Sequence, residues 1–173
     1  MKPFFLFFIL GLFVCGCKPN SKSEMATDTV NTPESYHLTA KDVESLKYTD
    51  FVLSPDSKKA LSTWQKYAEL STQIELLKAG DLSFFKNEKE LMMTFITDFK
   101  KEEPQAIKTA AIYSRITVLE TTLLKLQSIA NLDTIKKAEL LNSVKELLVA
   151  YANLNLQINK KYELESQVIE QPY

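Results

Sequence analysis

Residues 140–162 have the sequence LLNSVKELLVAYANLNLQINKKY, and this stretch decides the fold class. Side chains suited to a helix interface recur at alternating spacings of three and four, at Leu141, Val144, Leu148, Tyr151, Asn155, Ile158 and Tyr162. This heptad spacing is typical of a helix that packs one face in a bundle. Leu140, Leu147 and Leu154 lie beside that stripe and widen it. The stretch therefore predicts a long bundle helix.

The end of the same stretch, residues 153–159, alternates polar and apolar side chains, which is also a strand pattern. We expect a helix because the heptad continues through these residues and no proline or glycine bounds them. The chain also offers no second strand for pairing. Asp133 or Thr134 is the expected N-cap of this helix.

Three helices are predicted before it. The first long helix is expected to begin with Ser54 as its N-cap and Pro55 at the first helical position. It is expected to end just before Gly80. A shorter helix begins near Asn87 and ends before Pro104. A third spans about 105–130, with its apolar seam at Ile112, Ile116, Leu119, Leu123, Leu126 and Ala130.

Short connections favour antiparallel neighbours. The expected fold is all-α, an up-down-up-down bundle of three long helices and one shorter helix, preceded by a flexible tether. Glu90 is expected to complete a capping box with Asn87. Thr39 and Asp42 predict a further short helix, and we expect the apolar run 51–53 to pack against the bundle.

The composition excludes several kinds of active site. Gly80 is the only glycine after Gly16, so the glycine-rich loops of nucleotide-binding sites and nucleophile elbows are absent. His37 is the only histidine, and no cysteine follows Cys17. A Cys/His zinc site therefore lacks its ligands, and a histidine-activated nucleophile lacks its base. A net charge of −1 argues against a nucleic-acid partner. We expect no cofactor, no metal and no enzymatic activity, although a pair of carboxylates acting on a glycan stays open.

The first residues predict a targeting signal. Lys2 precedes an apolar run over residues 4–14, which is shorter than the roughly 20 residues of a membrane span. The run ends in Val14-Cys15-Gly16-Cys17, which resembles the signal of bacterial lipoproteins. The resemblance implies a signal peptide over 1–16 and acyl chains on Cys17, which anchor the protein to a membrane without spanning it.

Residues 17–37 are polar and rich in Lys, Ser, Thr, Asn and Pro, so we expect a flexible tether before a bundle domain over 38–173. Lys18, which stands where enteric bacteria place an aspartate to retain lipoproteins at the inner membrane, favours the outer membrane. From about residue 50 onward the chain resembles uncharacterised lipoproteins of Bacteroidetes, especially flavobacteria. The stretches that carry this resemblance are residues 81–85, 115–121 and 153–161. It implies location and lineage but no reaction.

Arg115 and Glu120 are the only charged residues between Thr109 and Leu124, and neither has an oppositely charged neighbour on its own helix. We expect interhelix ion pairs, Arg115 with Glu88 or Glu90 and Glu120 with Lys145. An anion-binding role for Arg115 at the bundle flank is the alternative.

Asn155 occupies a seam position, where a polar residue fixes helix register. The alternative is a small polar pocket with Gln157 and Asn159. Phe84 and Phe85 are expected either to close the end of the bundle or to form a contact patch. Val149 and Leu156 lie off the main stripe and are candidates for a partner surface.

Together these features predict a membrane-anchored envelope lipoprotein whose bundle binds another envelope macromolecule, most simply a protein. The alternative is a carrier or sensor of a small amphiphile in the bundle core. The sequence leaves open whether the chain forms a homodimer and whether it faces the periplasm or the cell surface.

Overall fold

The computed structural model describes residues 36–167, all of which belong to one compact unit. Within this range every regular element is helical. The α-helices are α1 (Ala40–Glu44), α2 (Pro55–Ala60), α3 (Gln65–Lys78), α4 (Lys89–Lys101), α5 (Ala110–Ala130) and α6 (Lys137–Ser166). Two 3₁₀ turns, Ser83–Lys86 and Gln105–Ile107, precede α4 and α5. The predicted signal peptide, Cys17 and most of the tether lie outside the described residues.

Helices α3 to α6 form the predicted up-down-up-down bundle. Trp64, at the start of α3, donates a hydrogen bond from Nε1 to the carbonyl of Phe99 near the end of α4, at 2.9 Å. Gln127, near the end of α5, donates to the carbonyl of Asn87 before α4, at 3.1 Å. Each bond joins the beginning of one helix to the end of its neighbour, as antiparallel packing requires.

The long helix α6 is confirmed through residues 153–159, so the alternating pattern there is helical. The buried stripe includes both the predicted heptad and the residues expected to widen it, since Val144, Leu148 and Ile158 of the heptad are at most 1% exposed. Leu140, Leu147 and Leu154 are fully buried, whereas Leu141 and Tyr162 at the ends of the heptad are only half-buried. Partners on more than one side account for this width, because α6 is covered by α5, by α1 and α2, and by the chain between them.

Several predicted helix ends are confirmed. Thr39 and Asp42 form a reciprocal capping box at α1. The Thr39 hydroxyl accepts a hydrogen bond from the Asp42 N–H, and the Asp42 carboxylate accepts one from the Thr39 N–H. Ser54 caps α2 by accepting from the Ser57 N–H at 3.2 Å, with Pro55 in the first turn. Gly80 follows α3 with φ of +92°.

Other helix ends were predicted wrongly. The single helix expected over 54–80 is divided at residues 61–64, where α2 stops and α3 begins. Asn87 does not cap α4, because its side chain donates instead to the carbonyl of Phe84, at 3.0 Å. Thr109, rather than a residue near 105, caps α5. Helix α6 begins at Lys137, after both of its predicted caps.

An extended segment, residues 46–54, runs along α6 and is called the strap below. Lys137, at the start of α6, binds Asp42 just before the strap at 2.7 Å. Asn159, near the other end of α6, accepts a hydrogen bond from the Ser54 N–H at 2.8 Å. Between those two points α6 rises about 33 Å, and the chain from Asp42 to Ser54 spans at most about 40 Å. The strap therefore has little slack.

Only part of the apolar run in the strap packs inward. Phe51 and Leu53 are half-buried, whereas Val52 between them is 73% exposed. This alternation is that of an extended chain lying on a surface. The expectation that the whole run packs against the bundle was therefore wrong for Val52.

Candidate functional site

Arg115 and Glu120 do not form a site together. They are separated by five positions on α5, which places them roughly 140° apart around the helix axis. Arg115 is exposed and forms no ion pair within residues 36–167, so the predicted pairing with Glu88 or Glu90 was wrong. Glu120 does form an interhelix ion pair, but with Lys100 of α4 at 2.8 Å and not with Lys145.

The four residues proposed as a partner patch do not share one surface. Phe85 is fully buried and serves as a plug, which contradicts its place in an exposed patch. Phe84 is half-buried and packs edge-on against Phe85, with ring centroids 5.2 Å apart. Val149 and Leu156 are half-buried on α6. The carbonyl of Phe85 binds Asn131, close to the start of α6, and α6 rises about 28 Å from there before it reaches Leu156.

Asn155 is the candidate residue around which the structure assembles other functional groups. It is 4% exposed and lies on α6 between α3 and the strap. Its Nδ2 donates to the carbonyl of Phe51 at 2.9 Å, and its Oδ1 accepts from the Tyr67 hydroxyl at 2.6 Å. Tyr151 completes the group, because its hydroxyl lies 3.1 Å from that of Tyr67. Both tyrosines are 6% exposed.

Asn159, one turn after Asn155, repeats this arrangement with the next part of the strap. Its Nδ2 donates to the carbonyl of Val52 at 2.8 Å, and its Oδ1 accepts from the N–H of Ser54 at 2.8 Å. Residues four apart lie on the same face of a helix. The two asparagines thus bind the peptide groups of the strap as an adjacent strand would. Asn155 was predicted to fix the register between helices, and it does bind another helix through Tyr67 of α3, but it binds the strap as well.

A cleft of about 450 Å³ opens beside this group, between the strap and α3. We call it the Tyr67 cleft. Its apolar lining comes from the strap, the end of α2 and the tyrosine rings, and its polar lining comes from Asn155, serines and four charged side chains. The lining residues are Asp50, Phe51, Val52, Leu53, Lys58, Leu61, Ser62, Tyr67, Ala68, Ser71, Glu75, Lys78, Tyr151 and Asn155.

Burial affects the Tyr67 hydroxyl strongly. Desolvation raises the pKa of Tyr67 well above its usual range, and the neighbouring Tyr151 raises it further. The hydrogen bond to Asn155 acts in the opposite direction but is outweighed. Tyr67 is therefore neutral at physiological pH, and its proton stays in the hydrogen bond.

The rim of the cleft carries a charge cluster. Lys78 binds Asp50 of the strap at 2.7 Å and Glu75 of its own helix at 2.9 Å. Desolvation lowers the pKa of Lys78, but the hydrogen bonds to both carboxylates together outweigh it and the pKa is raised. Lys58, on the α2 side, forms no ion pair within the described part of the chain.

A smaller cavity of about 240 Å³ lies beside the turn after α4 and is lined by Glu103, Lys108, Thr109, Ala110 and Tyr113. The Oε1 atom of Glu103 is buried there without a hydrogen-bond partner. Desolvation raises the pKa of this carboxyl, and Lys108 partly opposes the shift.

Residues 36–167 contain no cluster of three or more His, Cys, Asp or Glu side chains that is placed to bind a metal ion. None of the helices in that range combines the length and hydropathy needed to cross a membrane.

Of the hydrogen-bonded group Tyr67, Tyr151 and Asn155, only Asn155 was predicted from the sequence as a candidate site residue. Tyr151 was assigned only to the heptad, and Tyr67 was not singled out. The spacing of Asn155 and Asn159 was a usable signal, because two amides four apart on an otherwise apolar helix face need polar partners from another element.

Comparison of the chain with protein-family models, with curated proteins and with solved structures finds no match.

Proposed function

We propose that this chain is a lipid-anchored, non-enzymatic binding protein of the bacterial cell envelope, and that it binds its ligand in the Tyr67 cleft. The anchor rests on the resemblance of Val14-Cys15-Gly16-Cys17 to a lipoprotein signal. The proposal of a non-enzymatic role rests on the sequence, which has no histidine after His37 to activate a nucleophile and no cysteine after Cys17 to act as one.

The observation that carries the binding proposal is the lining of the cleft. Its volume of about 450 Å³ lies in the range of small-molecule sites, roughly 300–1,000 Å³. Such sites combine apolar walls with a few fixed polar groups. Here the walls include Phe51 and Leu61, and the fixed groups are those of Tyr67, Tyr151 and Asn155. A small amphiphile is the ligand class that this lining fits best.

A macromolecular partner from the envelope is the second candidate, and Val52 favours it. Val52 lies on the rim of the cleft and is the most exposed large apolar side chain of the described residues, at 73%. A partner that inserts one side chain into the cleft would cover Val52 as well.

Site-specific photocrosslinking in living cells distinguishes these candidates. The full chain carries a photoreactive benzoylphenylalanine in place of Val52, and the control carries it in place of Tyr113, which is 61% exposed on α5. We expect an adduct that forms at position 52 and not at position 113. A small increase in intact mass identifies an amphiphile, and a band shift on a gel identifies a macromolecule. Equal labelling at both positions, or none at position 52, overturns the assignment of the cleft.

The anchor is tested separately by metabolic labelling with an alkyne fatty acid. We expect the native chain and Cys15→Ser to incorporate the label, and Cys17→Ser to lose it. Cys15 is the matched control because it lies two residues away in the same signal. Retention of the label in Cys17→Ser would contradict the proposed lipoprotein signal.

A further inference from the structure

The hydrogen bonds in the Tyr67 cleft have a fixed direction. The chain of bonds begins at the carbonyl of Phe51, which can only accept. Asn155 must therefore turn its amide nitrogen toward Phe51, at 2.9 Å, and its amide oxygen toward Tyr67. This settles the orientation of the Asn155 side chain from its partners alone.

The direction then passes to the two tyrosines. The Asn155 oxygen accepts from the Tyr67 hydroxyl at 2.6 Å, and this bond uses the only proton of that hydroxyl. Tyr151, 3.1 Å away, must then donate its own proton to the Tyr67 oxygen. The oxygen of Tyr151 keeps a free lone pair, because no other described group donates to it.

We infer that the Tyr67 cleft selects small uncharged amphiphiles that donate a hydrogen bond, through an alcohol, phenol or amide N–H, to the hydroxyl oxygen of Tyr151. The inference rests on the proposed binding role of the cleft and specifies its ligand. Tyr151 is 94% buried, and it lines the cleft together with Tyr67. A ligand that offers only an acceptor there faces another acceptor.

The charges at the rim favour an uncharged ligand. Asp50 and Glu75 are both bound by Lys78, so neither carboxylate is free to bind an ammonium group. Lys58 adds a positive charge on the opposite side, which repels a cation. The four charges of the rim, Asp50, Glu75, Lys58 and Lys78, sum to zero, so the rim as a whole attracts neither a cation nor an anion. The apolar body of the ligand would lie against Phe51 and Leu61.

The test uses three probes of nearly the same shape. 4-Ethylphenol donates a hydrogen bond, 1-ethyl-4-fluorobenzene does not, and 4-ethylpyridine at pH 8 only accepts. Binding to the full lipidated chain in lipid nanodiscs is measured by titration with ligand-observed NMR, and empty nanodiscs correct for partition into lipid. One hydrogen bond corresponds to about a five-fold difference in Kd. We expect 4-ethylphenol to bind about five-fold more tightly than either other probe.

Two conservative variants test the mechanism. Tyr151→Phe removes the acceptor that the ligand meets and leaves the nearest free acceptor on the Tyr67 oxygen, 3.1 Å from the lost hydroxyl. The preference for 4-ethylphenol over the fluoro compound should therefore fall. Tyr67→Phe releases the proton of Tyr151, which can then donate to a ligand, so 4-ethylpyridine should gain about five-fold relative to the fluoro compound. Tyr113→Phe, at an exposed tyrosine on α5, is the matched control and should retain the native preferences. Thermal unfolding checks that each variant is folded.

The outcomes test the proposed function and the inferred selectivity separately. If none of the probes binds the native chain, the cleft is not a small-molecule site and the proposed function fails with it. If all three bind with equal affinity, the site stands but the inferred selectivity for a donor is wrong. An unchanged preference in Tyr151→Phe would equally overturn the role of that hydroxyl.

Discussion

Asn159 binds Ser54 and closes a ring of hydrogen bonds with the peptide groups on both sides of Leu53. The Asn159 Oδ1 accepts from the Ser54 N–H at 2.8 Å, and its Nδ2 donates to the carbonyl of Val52 at 2.8 Å. Ser54 is also the N-cap of α2. One side chain on α6 therefore fixes both the end of the strap and the start of the next helix.

Asn159→Ala should release the end of the strap. Two hydrogen bonds of about 0.5–1.5 kcal/mol each are lost at a half-buried site, so we expect a stability loss of about 1–2 kcal/mol. The amide of Ser54 should also exchange its hydrogen faster. Denaturant unfolding and hydrogen exchange measure the two effects. Asn153→Ala, on the same helix and also half-buried but without a side-chain hydrogen bond within residues 36–167, is the control. Equal losses in both variants would contradict the role assigned to Asn159.

Gly80→Ala should destabilise the fold by about 2 kcal/mol or more. The backbone of Gly80 has φ of +92°, and an added Cβ would lie 3.0 Å from the backbone of Leu38, Thr39 and Ala40. Backbone atoms cannot rotate away as a side chain does, so α1 would have to move. The midpoint of thermal unfolding measures the loss.

Ala79→Gly tests whether the effect belongs to that position. Ala79 is the exposed C-cap of α3, and a glycine there costs at most about 1 kcal/mol. A smaller loss for Gly80→Ala than for Ala79→Gly would show that the close approach of α1 is not rigid.

The ion pair between Lys100 and Glu120 should contribute little to stability. Both side chains are more than a quarter exposed, at 39% and 30%. We expect a coupling energy of about 0.2–1 kcal/mol in a double-mutant cycle with alanine at both positions, decreasing as salt is added. A coupling well above this range would indicate that the pair is more deeply desolvated than its exposure implies.

Arg115→Ala should change the free energy of unfolding by no more than about 0.5 kcal/mol, because the side chain is exposed and lacks an ion pair in the described residues. Chemical denaturation measures it. A large loss would support the structural role that was predicted for Arg115 from the sequence.

Glu103→Gln should stabilise the protein in a pH-dependent way. Desolvation raises the pKa of Glu103 above its usual value of 4.5 in the folded state, so the folded state binds more protons than the unfolded state as pH rises past 4.5. Stability contributed by the protonated carboxyl is therefore lost as pH rises. The variant should unfold at a higher temperature than the native protein at pH 7, and the two midpoints should converge below pH 4.5.

Glu44→Gln, at an exposed glutamate on α1, is the control for this experiment. Its unfolding midpoint should follow that of the native protein across the same pH range. A constant offset between Glu103→Gln and the native protein at every pH would contradict a role for the buried carboxyl.

Local sequence signals predicted the elements that depend on near neighbours. Three such features were predicted correctly: the Thr39 capping box, the Ser54 cap and Gly80 after α3. Each involves residues within about one helical turn, so it can be predicted from the sequence alone. The division between α2 and α3 is different, because no proline or glycine occurs there. Trp64, at the end of this break, is fully buried and donates to a carbonyl of α4, a partner 35 positions away.

The same distinction holds for the candidate site. The seam position of Asn155 was evident, but its partners were not, since Tyr67 lies 88 positions away in the sequence. Arg115 and Glu120 attracted attention because their own helix lacks partners for them. The expected partner of Glu120 lay on α6, whereas Glu120 pairs with Lys100 of α4.

The sequence by itself determined the helical class, the number of long segments in the second half of the chain and the apolar faces that had to be buried, because helix periodicity and capping are local properties. Only the tertiary structure decided where the strap lies, that two asparagines of α6 hold it, and that Tyr67, Tyr151 and Asn155 meet beside a cleft. Those contacts join residues about 80 to 110 positions apart, and such pairings follow from how complete helices pack, which no local spacing specifies.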